Sequence, residues 1–177
     1  YDYGLNTTAG GGIMNSIMTN SYFTLMFWLK TTQATTGTVY SNNNGVATGW
    51  AIWYGRSGRA GKFSFYTSTG GGWQNLGTTA MNSGAWNHID IKWNSSNKIY
   101  LYINGTYDGN LAISSLGVND QAPSLFYDIN SNDNRINGFV DEFKYFNTSL
   151  TDAQVIAEMN TPILQSTLHS NFYTTNL

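Results

Sequence analysis

The sequence predicts an all-β fold, a two-sheet antiparallel β-sandwich, from three observations. The 177-residue chain is 15% aromatic, which argues against long disordered segments. About ten short runs of aromatic and β-favouring residues recur along the chain, separated by Gly, Asn and Ser. Only one segment has the signals of a helix. Many short strands with almost no helix are typical of a sandwich.

The N-terminal half contains four predicted strands. The first, residues 22–30 (YFTLMFWLK), is rich in aromatic residues and is too short for a typical amphipathic helix. The next three are residues 37–41, 50–54 and 62–67, and residues that tolerate turn geometry separate them.

The middle of the chain predicts a three-stranded antiparallel meander from residues 86–93, 98–104 and 106–111. The first two segments alternate apolar and polar residues, which is the period of a strand. Asn104-Gly105 joins the last two, because both residue types accept positive φ. We expect one face of this meander to be buried. The residues on the other side of its first strand are His88, Asp90 and Lys92.

The C-terminal part contains two further predicted strands, residues 124–129 and 136–146. The single helix is predicted near residues 151–159, where Ser149 or Thr151 can cap it and Pro162 closes it. We expect one sandwich domain over residues 1–162. Residues 163–177 have no clear pattern and form either a tail or a final strand.

Composition and charge together exclude several classes of function. The net charge is −2 at pH 7 and only 10% of the residues are charged, so a basic surface for nucleic acid or membrane is not expected. The absence of cysteine excludes thiol catalysis and disulfides. No apolar run is long enough to span a membrane. Arg56, Arg59 and Lys62 form a mild basic cluster, which we interpret as a solvated turn rather than an anion site.

Four segments, in order, resemble the laminin-G-like domains of the concanavalin-A-like lectins. Residues 23–30 (FTLMFWLK) and 86–91 (WNHIDI) are similar to two of the family's strands. Residues 99–109 (IYLYINGTYDG) are similar to its hairpin. Residues 137–155 (NGFVDEFKYFNTSLTDAQV) are similar to its Asp-Glu strand with the helix behind it. The resemblance implies a jelly roll of two antiparallel sheets packed face to face.

Catalysis is not expected. Relatives that hydrolyse β-glucans carry Glu-x-Asp-x-x-Glu on one strand, and this sequence lacks that string. The only acidic pair on a predicted strand is Asp141-Glu142, whose neighbouring side chains should point to opposite faces. His169 lies in the patternless tail, and His88 is interpreted as a half-buried side chain.

Calcium is the one cofactor that we consider. Residues 128–134 (DINSNDN) offer Asp128, Asn130 and Asp133 as oxygen ligands, but they do not follow the EF-hand pattern. A solvated Asn-rich loop is the alternative interpretation. The resemblance implies a second candidate at Asp141, with Asp2 as its partner. The expected cofactor is therefore at most a structural calcium ion.

Sugar binding would use aromatic faces together with Asn and Asp side chains. Within residues 50–54, period two separates Trp53 from the other two aromatic residues, so one set faces the core. For each tryptophan alone, the core is the preferred interpretation, whereas the cluster as a whole should expose an aromatic ring. The candidate ligand-binding residues are Trp50, Trp53, Tyr54 and Trp73, with Tyr66 nearby, and Tyr100 and Tyr102 as a second platform.

We therefore expect a non-catalytic carbohydrate-binding or adhesion module of a larger secreted or surface protein. Its expected partner is a glycan or glycoprotein, and its place is extracellular, on a cell surface or on a virion surface. The alternative is a structural virion-surface, fibre or decoration domain that contacts other copies or neighbouring structural proteins. A glycoside hydrolase is the less favoured third hypothesis. Neither nucleic-acid binding nor membrane insertion is expected.

Overall fold

The computed structural model describes residues 22–42, 49–68, 72–81, 83–94, 96–116, 124–126 and 134–162. These residues form two five-stranded antiparallel sheets and one α-helix, α1 (Asp152–Met159). The strands are β1 (Phe23–Thr31), β2 (Gly37–Ser41), β3 (Trp50–Tyr54), β4 (Phe63–Thr67), β5 (Gly72–Leu76), β6 (Trp86–Asn94), β7 (Lys98–Ile103), β8 (Thr106–Ala112), β9 (Ser124–Leu125) and β10 (Gly138–Phe146).

The strands divide into two sheets that pack face to face. Sheet 1 has the order β10-β1-β6-β7-β8, and sheet 2 has the order β5-β4-β3-β2-β9. The predicted sandwich and its single helix are thereby confirmed, with β2 and β3 at their predicted bounds. Strand β5 was not predicted. The later part of the predicted strand 124–129 and the segment 163–177 lie outside the described residues.

The core between the sheets is built around Trp50. Its buried ring stacks on Tyr40 at 4.0 Å, on Phe23 at 5.5 Å and on Phe65 at 5.9 Å between ring centroids. These rings come from strands of both sheets, so one aromatic stack joins the two layers. Burial of large aromatic side chains is a major favourable term in such a core.

A smaller apolar cluster attaches α1 to the outer face of sheet 1. Met26, which points away from the main core, packs with Leu150 and Val155, and Phe146 lies against them. The helix begins at a capping box. The Thr151 side chain accepts a hydrogen bond from the Gln154 backbone N–H, and the Gln154 side chain accepts one from the Thr151 backbone N–H.

Strand β6 is buried on both faces, which corrects the prediction of a meander with one buried face. His88, Asp90 and Lys92 are all buried although they alternate with the core residues of the strand. Alternation identified the side of the sheet on which each residue lies. It carried no information about α1 and its preceding segment, which cover that side.

Candidate functional site

Aromatic side chains gather around an arginine on the outer face of sheet 2. Trp53 contacts Trp73 edge to face, with ring centroids 4.7 Å apart, and Tyr66 lies 4.9 Å from Trp73. The Arg56 guanidinium lies over the Trp73 ring, 3.7 Å from its centroid, and 4.8 Å from the centroid of Trp53. We call Trp53, Arg56, Tyr66 and Trp73 the arginine–tryptophan cluster.

The turn after β3 places Arg56 on this face. Gly55 follows the strand with φ 69°, and a Cβ atom there would clash with the carbonyl oxygen of Thr35. Only glycine fits this position without displacing the backbone. Arg56 then opens a short 3₁₀ turn, Arg56–Gly58. The tight turn at Gly55 therefore positions Arg56 on the outer face of sheet 2.

Three polar groups of this face are buried without a hydrogen-bond partner among the described residues: Thr38 Oγ1, Trp53 Nε1 and Arg56 Nε. Thr38 and Trp53 are directly paired across β2 and β3. Burial lowers the pKa of the Arg56 guanidinium, although arginine stays charged at neutral pH.

Arg59 is fixed by the protein backbone. Its guanidinium donates to the carbonyl oxygens of Phe63 and Gly77, both at 2.7 Å. The interpretation of residues 56–62 as a merely solvated turn is therefore wrong for both arginines. Arg56 is stacked on tryptophan, and Arg59 ties the turn to two neighbouring segments.

A second aromatic surface lies on the outer face of sheet 1. Tyr107 is 49% exposed, and its ring centroid lies 5.6 Å from that of Tyr102 and 6.4 Å from that of Tyr100. The side-chain amide of Asn110 donates to the Tyr107 hydroxyl. We call Tyr100, Tyr102 and Tyr107 the tyrosine cluster.

Two clefts flank the tyrosine cluster. The first, of about 360 Å³, lies between the tyrosines and the start of α1, and the second, of about 290 Å³, borders Tyr107 on its other side. The lining of the first includes Lys92, Asn94, Tyr100, Tyr102, Ser149, Thr151 and Asp152. The lining of the second includes Thr79, Asn87, Asn104, Thr106, Tyr107 and Asp108.

A charged network forms the floor of the first cleft. Lys92 Nζ and the Tyr102 hydroxyl both donate to Asp152 Oδ1, at 2.6 and 2.7 Å. Lys92 Nζ also lies 4.2 Å from the centroid of the Tyr102 ring. The hydrogen bond from Lys92, followed by that from Tyr102, lowers the pKa of Asp152. The network therefore holds α1 on sheet 1.

His88 belongs to a buried pair rather than to an accessible site. Its Nδ1 lies 3.1 Å from Asp90 Oδ2, and its ring packs on Trp28 with centroids 5.0 Å apart. Burial raises the pKa of the Asp90 carboxyl, an effect that His88 partly offsets. Both side chains are almost fully enclosed, so a substrate cannot reach them directly.

The predicted site residues fall in different places. Trp50 and Tyr54 lie in the core. Because their rings offer no face to a ligand, these two residues are excluded as binding residues. Trp53 and Trp73 belong to the arginine–tryptophan cluster, whereas Tyr100 and Tyr102 line the first cleft on the opposite sheet. Sequence reasoning missed Arg56 and Tyr107 as members of these surfaces.

Most of the predicted metal ligands, Asp2, Asp128, Asn130 and Asp133, lie outside the described residues. Asp141 is exposed on β10. The pairing of Trp28 with Asp141 and of Met26 with Lys144 leaves an extra residue on β10, and Glu142 has φ 49°. This bulge interrupts the strict alternation expected for Asp141 and Glu142. Within the described ranges, no three His, Asp or Glu side chains are grouped to hold a metal ion.

Residues 6–156 match the family model of the concanavalin A-like lectin/glucanases superfamily. The chain belongs to this superfamily. The match covers most of the 177 residues and agrees with the resemblance found in the sequence. No curated protein sequence matches the chain.

Solved structures share the fold at low sequence identity. The carbohydrate-binding module (CBM40) of the Ruminococcus gnavus IT-sialidase, bound to α2,3-sialyllactose, has a TM-score of 0.67 and 13% identity, with 88% of this chain and 96% of that chain covered. Domain 4 of AbnA, an extracellular arabinanase from Geobacillus stearothermophilus in complex with arabinotriose, has a TM-score of 0.61 and 19% identity, with 84% and 69% covered. A heptameric SAP-like pentraxin from Limulus polyphemus has a TM-score of 0.63 and 12% identity, with 77% and 69% covered.

At these identities the likeness establishes the shared fold. Other matched chains are larger, and this chain spans only 39–40% of some of them. In the part of the chain that the structure describes, no helix has the length and hydropathy needed to cross a membrane.

Proposed function

We propose that this domain is a non-catalytic carbohydrate-binding module and that the tyrosine cluster is its sugar-binding surface. The observation that carries the proposal is Tyr107, a half-exposed ring that lines the second cleft and lies next to Tyr102, which lines the first. An exposed aromatic ring next to hydrogen-bonding side chains is the arrangement that a pyranose or furanose ring requires.

The two clefts supply the polar groups. Asn94, Ser149 and Thr151 line the first, and Asn104 and Thr106 are among those that line the second. Amide and hydroxyl groups both donate and accept hydrogen bonds, so they can satisfy the hydroxyl groups of a sugar in either direction. The charged side chains in these linings are already satisfied within the protein, because Lys92 pairs with Asp152 and Asp108 accepts from the Thr79 backbone N–H. We therefore expect a neutral sugar at the tyrosine cluster.

The superfamily supports a binding role, because two of the similar structures were solved with oligosaccharides. A hydrolase would need two carboxyl groups on opposite sides of the scissile bond. Of the two glutamates in the chain, Glu142 lies at the bulge of β10 and Glu158 pairs with Lys144 at 3.2 Å. Neither glutamate is among the residues that line the two clefts, and the carboxylates that do line them, Asp108 and Asp152, accept hydrogen bonds from donors of the protein. A binding module of an extracellular protein is therefore the function that we propose.

A glycan array on the purified chain tests the proposal, followed by affinity measurements on the best neutral ligand. We expect Tyr107→Ala to weaken that affinity about three- to tenfold, because aromatic stacking contributes roughly 0.5–1.5 kcal/mol. Phe139→Ala is the matched control, because Phe139 is an exposed aromatic residue at the other edge of sheet 1, on β10. Equal affinity of the Tyr107 variant and the wild-type protein would contradict the assignment of this surface.

The same array, repeated with calcium and with a chelator, tests the calcium hypothesis. Binding that persists in chelator would show that the sugar site does not depend on a metal ion. Loss of binding in chelator would direct the search to the candidate ligands around Asp141.

A further inference from the structure

The outer face of sheet 2 presents a cation for which the described residues provide no anion. The ion pairs described in this structure, His88–Asp90, Lys92–Asp152 and Lys144–Glu158, all belong to sheet 1 and its helix. Among the described residues, the Arg56 side chain contacts the Trp53 and Trp73 rings, and that of Arg59 contacts backbone carbonyls and Ser64. The two sheets therefore differ in how their charges are satisfied.

The stacking of Arg56 determines which kind of ligand can use this face. A guanidinium 3.7 Å from the Trp73 ring centroid covers the face on which a sugar would otherwise stack. The donors of a guanidinium lie in its own plane, so stacking on the ring does not block them and restricts the orientation of the group. Because Arg56 Nε is buried, the terminal Nη groups are the donors that a ligand would use. Such a group is suited to bind a planar carboxylate through two parallel hydrogen bonds.

The polar atoms around Arg56 are only partly satisfied by the described residues. Thr38 Oγ1, Trp53 Nε1 and Arg56 Nε are buried without a hydrogen-bond partner among the described residues. Thr38 is fully buried and Trp53 is 8% exposed. Buried polar groups in folded proteins nearly always have a partner, so this face is less completely satisfied by the described residues than is usual for a protein interior.

We propose that the arginine–tryptophan cluster is a second binding site, which recognises the anionic group of an acidic saccharide. Arg56 binds the carboxylate or sulfate through its N–H edge, while Tyr66 and the exposed part of Trp73 contact the sugar ring. Recognition of the anion follows from the cluster alone, whereas the choice of a saccharide rests on the proposed function. This site lies on the sheet opposite the tyrosine cluster, so the two are separable by mutation.

Calorimetric titration of the full chain with three oligosaccharides tests the proposal. Tetragalacturonate supplies carboxylates, its fully methyl-esterified form supplies the same sugar without charge, and a sulfated galactan tetrasaccharide supplies sulfates. We expect at least one of the two acidic oligosaccharides to bind. If carboxylate is the preferred anion, the methyl ester should bind at least tenfold more weakly than tetragalacturonate. Tighter binding of the sulfated tetrasaccharide would show that sulfate is the anion that the site prefers. Failure of both acidic ligands to bind would overturn the proposal.

Variants then locate the site. Arg56→Gln should weaken binding of the acidic oligosaccharide about 10- to 100-fold, because it removes a charge-assisted bidentate contact. Arg56→Lys should restore only part of this loss, because an ammonium group lacks the planar fork. Lys98→Gln on β7 is the matched charge control, and thermal unfolding of each variant checks that it folds. Unchanged acidic-ligand affinity in Arg56→Gln would overturn the assignment.

Tyr107→Ala separates this proposal from the function proposed above. That variant should keep its affinity for the acidic ligand while losing affinity for the neutral one, and Arg56→Gln should do the reverse. If Tyr107→Ala has no effect on any ligand but Arg56→Gln does, the arginine–tryptophan cluster stands and the tyrosine surface fails. If Tyr107→Ala weakens both ligands equally, a single site on sheet 1 explains the binding and the second site is rejected.

Discussion

The two outer faces of the sandwich are each covered in part, but by different means. On sheet 1, α1 packs on Met26 and its first residue pairs with Lys92, so apolar and charged groups are satisfied within the domain. On sheet 2, the Arg56 side chain lies over Trp53 and Trp73, and nearby polar atoms have no partner among the described residues. Packing by a helix contributes to stability, whereas a side chain over two rings can exchange contacts with a ligand. The difference shows that burial alone does not distinguish a side chain that stabilises the fold from one that is available to bind a ligand.

The largest expected effect comes from the apolar contact of the helix with sheet 1. Met26→Ala should lower the free energy of unfolding by about 2–5 kcal/mol, because it leaves a cavity beneath α1. Ile156→Ala on the same helix is the control, because Ile156 is 46% exposed and should cost much less. Denaturant unfolding measures both. A similar loss in the two variants would show that α1 is not packed on sheet 1 as described.

A smaller effect is expected at the charged contact of the same helix. Asp152→Asn should cost roughly 1 kcal/mol at neutral pH, because the buried Lys92 ammonium loses its anionic partner while solvent screens the 68%-exposed Asp152 side chain. The pKa of Asp152 is lowered in the folded state from its ordinary 3.8, so its contribution is present above pH 3.8 and is lost as pH falls through the folded value. The difference in unfolding free energy between wild type and variant should therefore shrink in acid. A constant difference across pH would contradict this account.

The smallest effect on stability is expected on sheet 2. Arg56→Gln should change the free energy of unfolding by only about 0.5–1 kcal/mol, the usual contribution of a cation–π contact at a partly exposed site. Denaturant unfolding beside the titrations described above gives both quantities for one protein. A loss as large as that of Met26→Ala would make Arg56 a structural residue and would remove the contrast between the two faces.

The fold could be predicted largely from local patterns. Alternation placed β6 and β7, and the Asn104-Gly105 turn placed β8, because strand period and turn chemistry are properties of neighbouring residues. Strand β5 escaped prediction because glycines precede it and only Leu76 of its five residues is buried. Such an edge strand is held by pairing with β4 rather than by its own pattern.

The candidate sites were less predictable because they depend on contacts between distant residues. The sequence showed an aromatic cluster and a basic turn, but not that Arg56 lies on Trp73, which belongs to another strand. Period two correctly separated Trp53 from Trp50 and Tyr54, yet it could not tell which set faced the core. Tyr107 was overlooked because its strand has no strong alternation, although pairing aligns it with Tyr102.

The position of β1 has a consequence for synthesis of the chain on the ribosome. Strand β1 is synthesised before β6 and β10, but in sheet 1 it lies between these two strands. The Thr24 hydroxyl donates to the carbonyl oxygen of Thr148, 124 residues later in the chain. Pairing of such distant segments is slow, and an unpaired strand edge is prone to association with other chains. A nascent chain that has released β1 to β9 but not β10 therefore still exposes the edge of β1 that pairs with β10. Sheet 1 can be completed only after β10 has emerged.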